Sequence, residues 1–261
     1  MAWWGKVIGG AFGFLLGGPL GALLGGALGH QFDKGMSGMV TDGWQPGNQE
    51  RVQTAFFAAL FSVMGHIAKA DGKVSRAEVA MAEAVFDQMQ LDSAQRKTAI
   101  DLFNGGKADD FPLLEVLEQF RHECHGRTTL LRMFVEVQIQ AALADGALDA
   151  SERAVLLTIA DTLGIRRGIF EQILRMLQGE AQQQRHASEG KPTLDDAYEI
   201  LGVESSTSDG ELKRAYRRLM NQHHPDKLVA KGLPEEMIKL ATEQTQKIRS
   251  AYEMIRNYRT T

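Results

Sequence analysis

Apolar residues are spread unevenly along the chain. From Val7 to Gly29 they run for 23 residues, VIGGAFGFLLGGPLGALLGGALG, with no charged or strongly polar side chain. As a helix this run rises at about 1.5 Å per residue, enough to cross roughly 30 Å of hydrocarbon. Trp3, Trp4 and Lys6 precede it, and His30, Asp33 and Lys34 follow, placing aromatics and charges at its margins. A secretory signal peptide is the rival reading, but the run is too long and uniform for the apolar region of one. The pattern predicts a short flank over 1–6 and a single N-terminal transmembrane helix over 7–30. Glycines recur at every fourth position from 5 to 29, with others at 10, 18 and 26. In lipid such a ridge lets a second backbone approach closely, so Gly9, Gly13, Gly17, Gly21 and Gly25 are the predicted dimerisation face. At about 100° per residue the ridge drifts around the helix, which favours a crossed pair over a long parallel zipper. Pro19 lacks an amide donor and is expected to bend the helix near Leu15.

Residues 31–50, rich in glycine and polar residues, read as a linker. From 51 to 178 apolar residues recur at helical spacing, as in Phe56, Phe57, Leu60, Val63, Met64 and Ile67, then Val79, Ala82, Val85, Phe86 and Met89. This predicts a helical domain. The polar stretch 179–192 reads as a second linker, followed by a small domain over 193–261. The fold class is therefore all-α.

Charge and cysteine content narrow the function. The 261 residues carry 29 basic and 33 acidic side chains, a formal −4, and the central domain is itself acidic. Nucleic acid is excluded as a general ligand. A single cysteine, Cys124, rules out an intrachain disulfide or a cysteine-rich zinc module. The sequence RHECHG sets His122, Cys124 and His125 together, but neighbouring helical positions point in different directions and no second cluster completes a tetrahedral site. It reads as a solvated helix end. No Ser-His-Asp arrangement, phosphate-cradling glycine loop or zincin motif occurs, so the reading is of a non-enzyme without a cofactor.

A short pattern is duplicated in the central domain: Ala70-Asp71-Gly72-Lys73-Val74-Ser75-Arg76-Ala77-Glu78 and Ala144-Asp145-Gly146-Ala147-Leu148-Asp149-Ala150-Ser151-Glu152. Each reads as an Asp-Gly turn, an apolar plug and a capping box, Ser75 with Glu78 and Asp149 with Glu152. The competing reading converges Asp71, Glu78, Asp145 and Glu152 on a divalent cation, although neither copy has the carboxylate density of a calcium loop. The duplicated pattern resembles the TerB-like helical domains.

The last domain is the most informative. Leu194, Tyr198 and Leu201 form a brief stripe that stops at Gly202. The next helix, capped by Ser208 or Asp209, carries Leu212, Ala215, Tyr216 and Leu219 on one face. With Leu212 at 0° these fall between about 300° and 40°, whereas Lys213, Arg214, Arg217 and Arg218 fall between about 100° and 240°. Then come His224, Pro225, Asp226 and Lys227, where proline ends the helix and places His and Asp on a turn. A third helix is expected to open at Pro234 with the stripe Met237, Leu240, Ala241, Gln244, Ile248, Ala251, Tyr252 and Ile255, antiparallel to the second. Residues 211–231 hold six basic and two acidic side chains, a local +4 beside the turn.

The segments DDAYEILGV, ELKRAYRRLMNQHHPDK and QKIRSAYEMI, in that order, resemble the J domain of DnaJ-type co-chaperones over about 65 residues. The resemblance implies binding to a DnaK-type heat-shock chaperone and stimulation of that partner's ATP hydrolysis. It assigns His224, Pro225 and Asp226 to the essential tripeptide, and Lys213, Arg214, Arg217, Arg218 and Lys227 to the basic docking surface. Two features depart from the family: His223 stands where an aromatic tyrosine is usual, and the stretch from Lys227 to Thr245 is longer than in common members. The three-part order resembles the bacterial membrane-anchored DnaJ-like co-chaperones. It implies an inner-membrane protein with a periplasmic N-terminus, cytoplasmic residues 35–261 and a homodimer through the span. The alternative is an envelope-stress sensor or adaptor whose central domain binds metal or a protein partner.

Overall fold

The apolar run that follows the first linker becomes the buried axis of the molecule. A computed structural model describes residues 17–32, 48–70, 76–89, 91–143, 148–187, 193–231, 233–234 and 237–260. Among these residues the regular elements are all helical, in the order α1 (Gly18–Phe32), α2 (Asn48–Ala68), α3 (Arg76–Gln88), α4 (Ser93–Gly106), α5 (Leu113–Glu123), α6 (Thr128–Ala142), α7 (Ala150–Thr162), α8 (Arg167–Ala187), α9 (Leu194–Leu201), α10 (Asp209–His223), α11 (Pro225–Val229) and α12 (Ile238–Thr260).

Helix α2 is apolar on nearly every side, and Val52, Ala55, Phe56, Phe57, Ala58, Ala59, Leu60, Phe61 and Val63 are each no more than 1% exposed. A helix without a polar stripe has to be surrounded; α4, α5 and α6 do this. Contact with α4 is at backbone range: a Cβ on Gly65 would stand 1.9 Å from the Phe103 carbonyl oxygen, and one on Gly106 would stand 1.8 Å from that of Ser62. Any side chain at either glycine would force the two helices apart. On the opposite flank the Phe56 ring meets Phe120 and Phe134 edge-on at 5.7 and 5.9 Å. Arg51 forks onto buried Glu123 at 2.7 and 3.3 Å, tying the start of α2 to the end of α5.

Within the predicted span the described helix begins only at Gly18. Gly17 and Gly18 both have φ of +58, a left-handed conformation that glycine adopts at little cost. Pro19 lies in the first turn of α1, where its missing amide costs nothing, and the expected bend near Leu15 falls outside the described residues. The 15 residues of α1 rise about 22 Å, short of the hydrocarbon thickness. No helix among the described residues is long and apolar enough to cross a membrane. Leu20 and Leu24 are fully buried, and α1 packs on α4, α5 and α2. The Gln119 amide closes the contact, accepting from Leu20 N–H at 2.9 Å and donating to the Gly17 carbonyl at 2.9 Å. Residues 7–16, with Gly9 and Gly13, lie outside the described residues.

The stretch expected to be a second linker is partly helical, since α8 continues to Ala187. Glu, Ala, Gln and Arg are good helix formers, so the helix propagates after its apolar face has ended. The small domain follows. Thr193 and Asp196 form a capping box on α9, and Gly202 closes it in the left-handed conformation at φ 63. Helices α10 and α12 run antiparallel: Tyr216 stacks on Tyr252 with centroids 4.2 Å apart, and Asp209 at the start of α10 accepts from Arg259 near the end of α12 at 2.7 Å. Leu212, Leu219, Ile248, Ala251 and Ile255 form the core with Ala197, Tyr198, Ile200 and Leu201.

The segment between α10 and α12, with the first turn of α12, does not belong to that core. Leu228, Leu233, Met237, Leu240 and Ala241 pack into the core of the central domain. Three hydrogen bonds accompany them: Gln53 Nε2 to the Leu233 carbonyl at 3.3 Å, Gln49 Nε2 to the Val229 carbonyl at 3.5 Å, and Lys231 Nζ to Thr129 Oγ1 at 2.7 Å. Burying a large aliphatic side chain is worth roughly 1.5–3 kcal/mol, whereas a hydrogen bond contributes a net of about 1 kcal/mol, and of the three only the one from Gln53 is buried. The apolar insertion therefore dominates this join. Among the described residues the third helix runs from Ile238; Pro234 was expected to open it, the Pro234 carbonyl accepts from Met237 N–H at 3.0 Å, and residues 235–236 lie outside the described residues.

Candidate functional site

Three elements build the turn. Ser208 caps α10, with its hydroxyl accepting from Glu211 N–H, and the Glu211 side chain in turn accepts from Ser208; these bonds hold the Glu211 carboxyl below its usual range. Helix α10 buries Leu212, Ala215 and Leu219 and leaves Lys213, Arg214, Arg217 and Arg218 exposed. None of the four forms an ion pair with a described residue, so among the described residues their positive potential stays largely uncompensated. The predicted segregation of apolar and basic faces is what the structure has.

At the end of α10 the chain leaves the helix at His224, with φ −62 and ψ 121, the extended conformation that a following proline favours. The same residue opens α11, since Pro225 occupies the first helical position and the His224 carbonyl accepts from Lys227 and Leu228 N–H at 3.1 Å each. His224 is thus the end of one helix and the cap of the next, which the expectation of a simple exposed turn did not contain. Asp226 and Lys227 are exposed, His224 and Pro225 half-buried, and Lys227 Nζ donates to Asn221 Oδ1. His224 Nδ1 is buried with no hydrogen-bond partner among the described residues. The exposed residues of the turn, Asp226 and Lys227, and the four exposed cations belong to the successive helices α10 and α11.

His223, expected on the core side of α10, is buried at 5% exposure and faces the central domain. Its Nδ1 stands 3.6 Å from Glu136 Oε2 of α6, and Glu136 Oε1 accepts from Arg132 Nε at 3.0 Å. Beside this contact lies a groove of about 310 Å³ between the two domains, lined by Thr129, Leu131, Arg132, Ile165, Ile169 and Gln222. Glu136, Arg132 and Gln53 have no motif of their own in the sequence. The two signals that pointed toward them were the histidine in place of an aromatic residue at 223 and the extra length after Lys227.

The other sites named from sequence are only partly among the described residues. Asp149 caps α7, accepting from Glu152 N–H at 2.8 Å while Glu152 Oε2 accepts from Asp149 N–H at 3.0 Å. Both carboxylates are thereby committed to the helix start. Asp71 and Asp145 lie outside the described residues, as does the side chain of Glu78. Among the described residues no group of three or more His, Cys, Asp or Glu could hold a metal ion. Cys124 is fully buried and its thiol is pushed up to about 12, chiefly by desolvation, so it is not a nucleophile near neutral pH. His122 and His125 are exposed, and His125 Nδ1 stands 2.6 Å from the Glu123 carbonyl oxygen. Of the glycine ridge, Gly17, Gly21 and Gly25 are described; Gly21 is buried and Gly25 is open to its surroundings.

Family models match three parts of the chain: the co-chaperone DjlA transmembrane domain over residues 1–39, the tellurite resistance protein TerB over 57–175, and the DnaJ domain over 196–260. No solved structure matches. The chain is 47% identical over 268 residues to the co-chaperone protein DjlA of Escherichia coli K12, covering 98% of each. It is 45% identical over 259 residues to that of Shewanella oneidensis, covering 99% of each, and 47% identical over 270 residues to that of Photobacterium profundum, covering 97% of this chain and 98% of that one. With identity of 45–47% over nearly the whole length of these relatives, the chain belongs to the DjlA co-chaperone family.

Proposed function

We propose that this protein is a bacterial inner-membrane co-chaperone that binds a DnaK-type heat-shock chaperone through residues 193–261 and stimulates its ATP hydrolysis, with no chemistry of its own. The observation that carries this reading is the His224-Pro225-Asp226 turn at the end of a helix whose four exposed cations have no ion-pair partner among the described residues. The cations steer an acidic partner at long range, and the turn, fixed between two helices, makes the specific contact. A preorganised turn loses little conformational freedom on docking, which favours affinity. His224→Gln is expected to abolish stimulation of the chaperone's single-turnover ATP hydrolysis with helicity unchanged by circular dichroism. Equal stimulation by variant and wild type would refute the reading.

Anchoring through residues 7–30 is supported by the match of the transmembrane-domain model and by the unbroken apolar run. Apolar surface such as that of Leu20 and Leu24 leaves water for whatever apolar phase is at hand, the protein body or a bilayer. The four-residue glycine register supports a homodimer through the span, and the partner's compartment places residues 35–261 in the cytoplasm. In right-side-out spheroplasts, external protease is expected to leave that body intact. Crosslinking is expected to give dimers that Gly9→Leu with Gly13→Leu removes. Dimers persisting in that variant would dismiss the glycine contact, and digestion of the body would invert the topology.

A further inference from the structure

The join between the two domains falls on the candidate docking turn. Glu136 of α6 is 8% exposed, and a carboxylate so placed is costly unless its charge is met. Arg132, one helical turn earlier, donates to one oxygen at 3.0 Å. The imidazole of His223 faces the other at 3.6 Å. His223 is the last residue of α10, so the position of its ring sets the point from which His224 leaves the helix. On the far side of the turn Leu228 is 1% exposed and Leu233 fully buried, both within the central core, and the Leu233 carbonyl accepts from Gln53. The central domain thus grips the chain immediately before and immediately after the tripeptide. The basic face of α10 remains outside the grip, exposed for a partner.

We propose that Glu136 is a positioning residue for the His224-Pro225-Asp226 turn, acting through His223, so that the central domain is part of the chaperone-docking apparatus. The inference rests on the function proposed above. Its physical content is that a turn pinned at both ends stays in one geometry, whereas a released turn has to be ordered by the partner at the expense of affinity.

The test uses the full chain in detergent micelles with a DnaK-type chaperone and ATP. Glu136→Gln retains size and a hydrogen-bonding oxygen for Arg132 but loses the charge. It is expected to raise the half-saturating concentration for stimulation about fivefold, a change of about 1 kcal/mol, with the saturated rate little changed. Glu136→Asp, which keeps the charge, is expected to recover most of the loss. His223→Gln provides the same test from the other side of the contact. The double variant is expected to be no worse than either single one, because both remove one interaction. Backbone hydrogen exchange at residues 224–228 is expected to quicken in each single variant, a readout that needs no chaperone. Wild-type half-saturation with unchanged exchange in Glu136→Gln, or additive losses in the double variant, would overturn the inference. Failure of the underlying function looks different: the wild-type chain itself would give no stimulation, whatever the exchange at the turn.

Discussion

Two corners of this molecule set a histidine just beyond the end of a helix, and their compositions mislead about which one is functional. The corner after α5 has two histidines and a cysteine within four residues, the side chains that ligate metals and attack carbonyls. The corner after α10 has a histidine, a proline and an aspartate. In the first, the thiol is buried, while His122 and His125 are exposed and the His125 ring sits against the Glu123 carbonyl oxygen. In the second, Asp226 is exposed and His224 and Pro225 are half-buried next to Lys213, Arg214, Arg217 and Arg218, and the backbone is fixed by a helix on each side. Backbone constraint and surrounding charge separate the two corners, and residue type and exposure do not.

The largest expected effect breaks the comparison directly. Where His224→Gln removes all stimulation of the chaperone, His125→Gln is expected to leave the rate and the half-saturating concentration unchanged. Paired single-turnover measurements decide it, and a loss at position 125 would show that the first corner takes part in docking. A smaller effect sharpens the electrostatic half of the contrast. Arg217→Glu with Arg218→Glu is expected to raise the half-saturating concentration about tenfold at low salt, because rim charges act mainly on the rate of encounter. The difference should shrink as NaCl is raised from about 0.05 to 0.3 M and the Debye length shortens. A penalty independent of salt would mean that the arginines act by packing.

The amphipathic face of α10 and the cap residues Ser208, Asp149 and Gly202 were legible in the sequence because each depends on neighbours within about four positions. The turn was legible for the same reason, as a proline directly after a basic amphipathic helix, whereas its reading as a docking tripeptide came from the family resemblance. The partners of His223 were not, since Glu136 is on α6 and nothing local on that helix marks it for an interdomain contact. Nor was the insertion of Leu233 and Met237 into the central core. An apolar residue in a loop between helices gives no sign of which core will receive it, and only the unusual length of that loop hinted that it had a task. The continuation of α8 through Ala187 was missed because the absence of an apolar face was read as the absence of a helix. Propensity and an existing nucleus sufficed to extend it.

The smallest expected effect tests the inert corner on its own terms. Burial raises the Cys124 thiol from its ordinary value of 9.0 to about 12. In the unfolded chain the thiol loses its proton near its ordinary pKa, while in the folded protein it keeps it, so above about pH 9 the unfolded state binds fewer protons and stability falls as pH rises. The stabilising contribution is whole below that pH and is lost progressively toward about pH 12, with a slope of up to about 1.4 kcal/mol per pH unit from this group. Urea unfolding at about pH 8.5 and 10 would measure the slope, and Cys124→Ala is expected to remove this group's share of it at the cost of a small cavity. With burial pushing it up to about 12, the folded thiol stays protonated at pH 8, so a thiol reagent should label Cys124 no faster than the region opens. Rapid labelling of the folded chain at pH 8 would place the thiol at the surface and erase the contrast between the two corners.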